Sequence, residues 1–233
     1  QSGFLKIPII ECWLEELVAA IQSKFPNFNP PKRHFKFVNT IDVDNAYCYQ
    51  EKGIVRSIGA SIRSILNLDF EDVVKRFKVL TGKEKDPYDT FDYLLDLQKK
   101  YEFESIYFFL LADYGYNDKN ITVTSKKFQS LVKSMSDYVK VGIHPSWASN
   151  THSSKLSKEI KRLEGMVNRE VVRSRQHFLK LDLPSTYRRL IDLGIREDYT
   201  MGYASQVGFR AGTSLPFYFY DLDMETQTQL LVH

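Results

Sequence analysis

The chain has 233 residues, enough for one large domain or two small ones at ~100–200 residues each. Apolar residues make up 43% and charged residues 26%, which excludes a disordered chain. Lys and Arg exceed Asp and Glu by 32 to 29, a formal charge of +3 without long like-charge runs, so composition gives no case for a nucleic-acid partner. Aromatic side chains are dense at 14%, which fits either a sizeable core or a cleft for a sugar or a base.

The longest strongly apolar run, Ile106–Ala112, is far short of the ~20 residues that cross a bilayer, so no membrane span is expected in this segment. Residue 1 is Gln rather than Met; the natural N-terminus is expected to be missing, the compartment is open, and a cytoplasmic one is favoured. Gln229–His233 reads as a strand with nothing after it, as in a chain truncated at its C-terminus. Cys12 and Cys48 are too few for a disulfide scaffold and lack metal-binding spacing, so both are expected as reduced thiols.

Residues 9–24 carry apolar side chains at three- and four-residue spacing, which predicts an amphipathic helix. Pro26, Pro30 and Pro31 then mark a linker, so residues 1–31 read as an N-terminal helix and linker and 32–233 as the main domain. Residues 35–42 alternate and end in carboxylates, a strand pattern. Helices are expected at 52–66, 70–80 with Asp69 as cap, and 91–100 with Thr90 as cap. The apolar run 105–111 reads as a strand buried on both faces. Beyond it come a helix at 125–138, a strand at 139–143, a helix at 154–165 ending near Gly165, a strand at 170–175, and a helix at 185–193 between Pro184 and Gly194. Short strands are expected near 197–201, 206–210 and 216–220. Alternating strands and helices predict an α/β fold with a parallel sheet, and residues 45–87 form a helical insertion after the first strand.

The unusual polar residues gather at predicted strand ends: Asp42 and Asp44 on the first, His144 on the third, Arg175 and His177 on the fourth, Arg210 on a later one. Active sites of parallel α/β folds lie at those ends. Arg175 and His177, two apart, share a face if their strand continues. Each residue also has a plain reading: the aspartates as turn caps, His144 as a core histidine, Arg175 as a surface charge, His152 in its Ser/Asn/Thr loop and His34 beside Lys32-Arg33 as solvated. Carboxylate plus imidazole suits zinc or a similar divalent ion with an open position for water. A further carboxylate outside the ligand set serves as general base, and an Arg beside it keeps it ionised.

Thr40-Ile41-Asp42-Val43-Asp44, Gly142-Ile143-His144-Pro145-Ser146 and Arg175-Gln176-His177-Phe178 together resemble the motifs of the NodB-homology polysaccharide deacetylases, carbohydrate esterase family 4, in a divergent bacterial subgroup. The stretches 90–109 and 187–199 add to the likeness, which covers roughly residues 34–220. The resemblance implies an incomplete (β/α) barrel of about seven strands and metal-dependent removal of acetyl groups from N-acetylated sugars of a polysaccharide or its precursor. It implies Asp42 as base, Arg175 as its tether, and Asp44 and His144 as ligands of a divalent metal, most simply zinc. Trp147, Tyr203 and Arg210 would face the sugar. Three positions depart from the pattern. Ala148 stands where the second metal histidine belongs, which makes His177, rather than His152, the expected third ligand. His177 stands where the third motif has Pro. The last motif, Leu-x-x-His with a catalytic acid, is either His233 or, as the favoured reading, beyond the end of the chain.

Two rivals use the same residues. A haloacid-dehalogenase-type phosphatase would take Asp42 as nucleophile with Asp44 behind it, but gives His144 no role. A catalytically degenerate deacetylase-like domain that binds carbohydrate would explain Ala148. A DxD glycosyltransferase would need a nucleotide-sugar site, which the sequence does not offer.

Overall fold

The structure is a computed structural model and describes residues 3–233. In chain order the elements are α1 (Ile9–Lys24), β1 (Val38–Val43), α2 (Ile54–Leu66), α3 (Phe70–Leu80), α4 (Phe91–Tyr101), β2 (Glu104–Phe109), α5 (Lys126–Tyr138), β3 (Lys140–Ile143), α6 (Ser153–Val167), β4 (Arg173–Ser174), α7 (Ser185–Asp192), β5 (Glu197–Asp198), β6 (Phe217–Asp221) and β7 (Thr226–Val232). The chain divides into two compact units, Val38–Val171 and a second made of Gln1–Phe37 with Val172–His233.

In the Val38–Val171 unit, β1, β2 and β3 run parallel in that order, with Val43 opposite Phe109 and Phe109 opposite Ile143. The middle strand β2 has neighbours on both edges, and its residues Ser105–Phe109 are all buried, as a continuous apolar run requires. The side chain of Asp69 caps α3 by accepting the Asp72 amide at 3.0 Å, as expected. Thr90 precedes α4 but makes no side-chain cap bond. Ser125 caps α5 through the Phe128 amide at 3.1 Å. Helix α6 does not stop at Gly165: it continues to Val167, and Asn168 takes the left-handed C-cap at φ 54°.

In the other unit the strand order is β4-β5-β7-β6, parallel except for β6, which is antiparallel to β7. The predicted strand 170–175 shrinks to Arg173–Ser174, because its ladder with β5 has only two residue pairs. The Gln176 amide then bonds to Thr200 Oγ1 at 3.0 Å, and His177–Leu179 turn as a 3₁₀ helix with Phe178 at φ 59° and Leu179 at φ 50°. Residues 206–210 form no strand. Phe209 N donates to Leu5 O at 2.7 Å, and a Cβ added to Gly208 would stand 2.5 Å from that same oxygen, so this segment docks on the N-terminal turn through a glycine that no larger residue can replace in place. Helix α1 joins the same unit: Ile10 N donates to Gly212 O at 3.0 Å, and the Glu11 carboxylate accepts from Thr213 Oγ1 and Ser214 N. Leu230-Leu231-Val232 ends β7, and His233 follows directly, its amide donating to Asp198 O at 2.9 Å.

Candidate metal centre

Parallel strands deliver the first two donors. The His144 amide donates to Phe109 O at 3.0 Å and the Leu110 amide to Val43 O at 3.2 Å, so the ladder carries the register past the ends of β3 and β1. Pro145 confines His144 to extended backbone. Asp42 and Asp44 are exposed on either side of buried Val43, the alternation of extended chain. His144 reaches from β3 past the end of β2 to Asp44 at the end of β1, with Nε2 3.3 Å from Asp44 Oδ1. The imidazole is buried, while the Asp44 side chain is 49% exposed.

That separation tests the metal expected from the sequence. Two donors on one tetrahedral ion, with bonds of ~2.0–2.2 Å, stand ~3.3–3.6 Å apart along the tetrahedron edge. Carboxylate and imidazole at 3.3 Å fit such an ion in both distance and donor chemistry.

The turn after His144 is fixed by two buried acids that sequence reasoning missed. Glu159 of α6 accepts from Ser146 Oγ at 2.6 Å and Ser146 N at 3.1 Å. Asp118 accepts from Trp147 N at 2.9 Å. Burial pushes the Glu159 carboxyl above its ordinary value, against the opposing pull of the Ser146 donors. Glu159 sits between Lys158 and Ile160, and Asp118 in a run of polar residues, so in sequence both read as surface charges; their burial is a tertiary effect.

Trp147 stays 40% exposed at this turn. His152 lies just before α6, exposed, with Nδ1 near Thr151 Oγ1 at 2.9 Å and Ala148 O at 3.1 Å. Its exposure is the expected one, although Ser149 and Asn150 before it are buried in a 3₁₀ turn. His34 is exposed, as expected.

In the other unit, His177 is buried in its 3₁₀ turn and stacks on Phe178 at 4.1 Å between centroids. Since β4 ends at Ser174, strand alternation does not orient Arg175 and His177, and that part of the expectation loses its basis. Arg210 follows no strand; its guanidinium donates to Leu179 O at 3.0 Å and Gly202 O at 3.3 Å, bracing this turn. Tyr203 is half-buried nearby in sequence. His233 stacks on Tyr199 at 4.2 Å with planes 4° apart. Asp198, fully buried between these strands, accepts from Ser174 Oγ at 2.6 Å, Thr200 N at 3.0 Å and Thr200 Oγ1 at 2.8 Å, and burial pushes its carboxyl upward.

No protein-family model matches the sequence, and no curated protein matches it. Among solved structures, the chain is similar to a Mycobacterium smegmatis protein assigned as a polysaccharide deacetylase, with 15% identity and a TM-score of 0.51, over 88% of this chain and 60% of that one. The fold is that of the polysaccharide deacetylases. Two further structures with lower scores are IcaB from Ammonifex degensii (11% identity, TM-score 0.41, 76% of this chain and 88% of that one) and a CE4 family pseudoenzyme from Bacillus anthracis (12%, 0.37, 73% and 47%). This chain spans three fifths of the Mycobacterium structure. In the deacetylase fold seen here the seven strands number as the resemblance implies, all but β6 parallel to a neighbour. Among the described residues no helix is long and apolar enough to cross a membrane.

Proposed function

We propose that the chain is a metal-dependent hydrolase that removes acetyl groups from N-acetylated sugars of a polysaccharide or its precursor. The observation that carries this reading is the Asp44 carboxylate 3.3 Å from the buried His144 imidazole at parallel strand ends. It rests on a fold shared with an assigned polysaccharide deacetylase. Asp44 and His144 would hold a divalent ion, zinc by donor type, with His177 as the expected third ligand; once bound, it would polarise the amide carbonyl and acidify water.

The chain's own residues do the rest. Asp42 accepts the proton of the attacking water, and Arg175 positions it and keeps it ionised. Trp147 and Tyr203 offer aromatic faces to the sugar, while Arg210 acts through the Leu179 and Gly202 carbonyls it holds.

Ala148 in place of the family's second metal histidine favours one other reading, a degenerate domain that binds carbohydrate without turnover. The phosphatase reading gives Asp44 no reason to meet a buried histidine. The test is zinc stoichiometry after chelation and reloading, together with acetate release from N-acetylglucosamine oligomers. Zinc bound by the parent, lost in His144→Ala, and acetate release that follows zinc support the hydrolase. Zinc without acetate release supports the degenerate binder. Magnesium-dependent phosphate release from a phosphate ester, without zinc, supports the phosphatase.

A further inference from the structure

The helical insertion α2–α3 is inside out. On α2 the small and polar residues Ser57, Ala60, Ser61 and Ser64 turn inward, and Arg56 lies over the Tyr114 ring. On α3 the inward face carries Asp72, Arg76 and Val79, with Asp72 accepting from Ser64 Oγ at 2.7 Å and Arg76 at 2.8 Å. The apolar stripes of both helices face away from the body: Val55, Ile58, Ile62 and Ile65 on α2, and Phe70, Val74 and Phe77 on α3, are each 47–84% exposed.

Their spacing is specific. Positions 55, 58, 62 and 65 step by three, four and three, and 70, 74 and 77 by four and three. That is the strict seam of helices that pack on other helices, narrower than the stripe that faces a domain core.

We propose that the α2–α3 hairpin docks on the same hairpin of a second copy of this chain, giving an antiparallel four-helix contact. The area suffices. With Ile54, Leu66 and Leu80 at its margin, the face offers roughly 1,000 Å² if each side chain counts ~150–200 Å² when fully exposed. An ordinary monomer's largest apolar patch is ~300–600 Å², and a standard interface takes ~800 Å² from each partner.

Charge selects the occupant and its direction. Glu71 and Lys78 are exposed, one heptad apart on the same flank of the α3 seam, and opposite in sign. When the helix meets its own copy head to tail, Glu71 of each faces Lys78 of the other, the reciprocal pairing of a twofold interface. Lys78 pairs with Glu84 at 2.8 Å within the chain, an exposed contact of little strength that leaves it available. A lipid surface fits less well: the hairpin mixes acidic with basic residues and contains neither Trp nor Tyr.

Sedimentation equilibrium of the full chain from micromolar to millimolar concentration tests this. The expected result is a monomer–dimer equilibrium. Ile62→Glu and Phe77→Glu, at exposed sites, weaken it at least about tenfold with the far-UV circular dichroism unchanged. If either variant does not fold, the charge reversals decide: Glu71→Lys and Lys78→Glu alone weaken the dimer, and the two together restore it. A monomer throughout the range overturns the proposal, as does a dimer indifferent to all four substitutions. Flotation of a monomeric chain with phosphatidylcholine–phosphatidylglycerol vesicles, abolished by Phe77→Glu, overturns it in favour of a lipid surface.

Discussion

Glu159 takes both donors of Ser146, the hydroxyl at 2.6 Å and the amide at 3.1 Å, two residues beyond His144. A buried carboxylate thus clamps the turn that carries a candidate metal ligand. Removing it leaves two buried donors unmet, at about 1–3 kcal/mol in stability. Glu159→Ala is expected to lower the melting temperature and to weaken zinc binding about 10–100-fold, as loss of ligand support does elsewhere. Isothermal titration with zinc checks the second part; unchanged affinity in a folded variant would remove Glu159 from the site.

The same residue sets a pH dependence. Burial raises its folded-state value above the ordinary 4.5, so the folded chain holds this proton more tightly than the unfolded chain. Its contribution to stability is therefore complete below 4.5 and is lost as pH rises through the raised folded value. Glu159→Gln keeps an acceptor and does not titrate. Melts of parent and Glu159→Gln in parallel should show the parent losing ground as pH climbs from 4.5; a parent that gains ground contradicts the assignment.

Much of this fold could be read from the sequence because its signals are local. The run 105–111 announced β2, Asp69 announced the start of α3, and Pro184 with Gly194 bracketed α7. What failed depended on neighbours far along the chain. The strand at 170–175 was cut to two residues by a short partner, and the strand at 206–210 is replaced by a backbone contact from Leu5. Of the site, Asp44 and His144 were legible because strand ends and a Pro mark them. Glu159 was not, since a charged residue in Lys158-Glu159-Ile160 gives no sign that helix packing will bury it.

Asp72 shows the opposite pH behaviour. Burial alone would raise its carboxyl, but donors from Arg76 at 2.8 Å, Ser64 at 2.7 Å and Tyr49 at 2.8 Å outweigh that and hold it at about 2. A lowered folded value means stability that is complete above the ordinary 3.8 and lost as pH falls through 3.8 toward 2. Asp72→Asn is expected to cost about 1–3 kcal/mol at neutral pH and to flatten acid unfolding in that window. Urea melts at pH 7 and pH 3 measure both; equal differences between parent and variant at the two values would refute the carboxylate's role.

Asp42 separates catalysis from metal binding. As the base it contributes ~10²–10⁴-fold in rate, and it is not among the three proposed ligands. Asp42→Asn should keep its zinc and lose that factor in acetate release. A variant that turns over at the parental rate would show that another group takes the proton.

The third ligand is the sharpest choice among the histidines. An ion held by Asp44 and His144 alone has two protein donors, fewer than the three of a working zinc site, so a functional chain must supply another. His152 is the nearer in sequence, but its Nδ1 is engaged by Thr151 Oγ1 and the Ala148 carbonyl, and its ring is exposed ahead of α6. His177 is buried in a turn whose Leu179 carbonyl is gripped by Arg210, and its ring is held against Phe178, so little rotamer freedom remains to be lost on binding an ion. His177→Ala is therefore expected to bring zinc well below one per chain after dialysis, and His152→Ala to leave it unchanged. Arg210→Ala, which frees the turn without removing a donor, should lower zinc affinity by a smaller factor than His177→Ala. Zinc content by elemental analysis, with circular dichroism to confirm folding, reads all three. If His177→Ala keeps its zinc while His152→Ala loses it, the ligand comes from the α6 side and Ala148 is compensated locally; if both keep it, water completes the coordination.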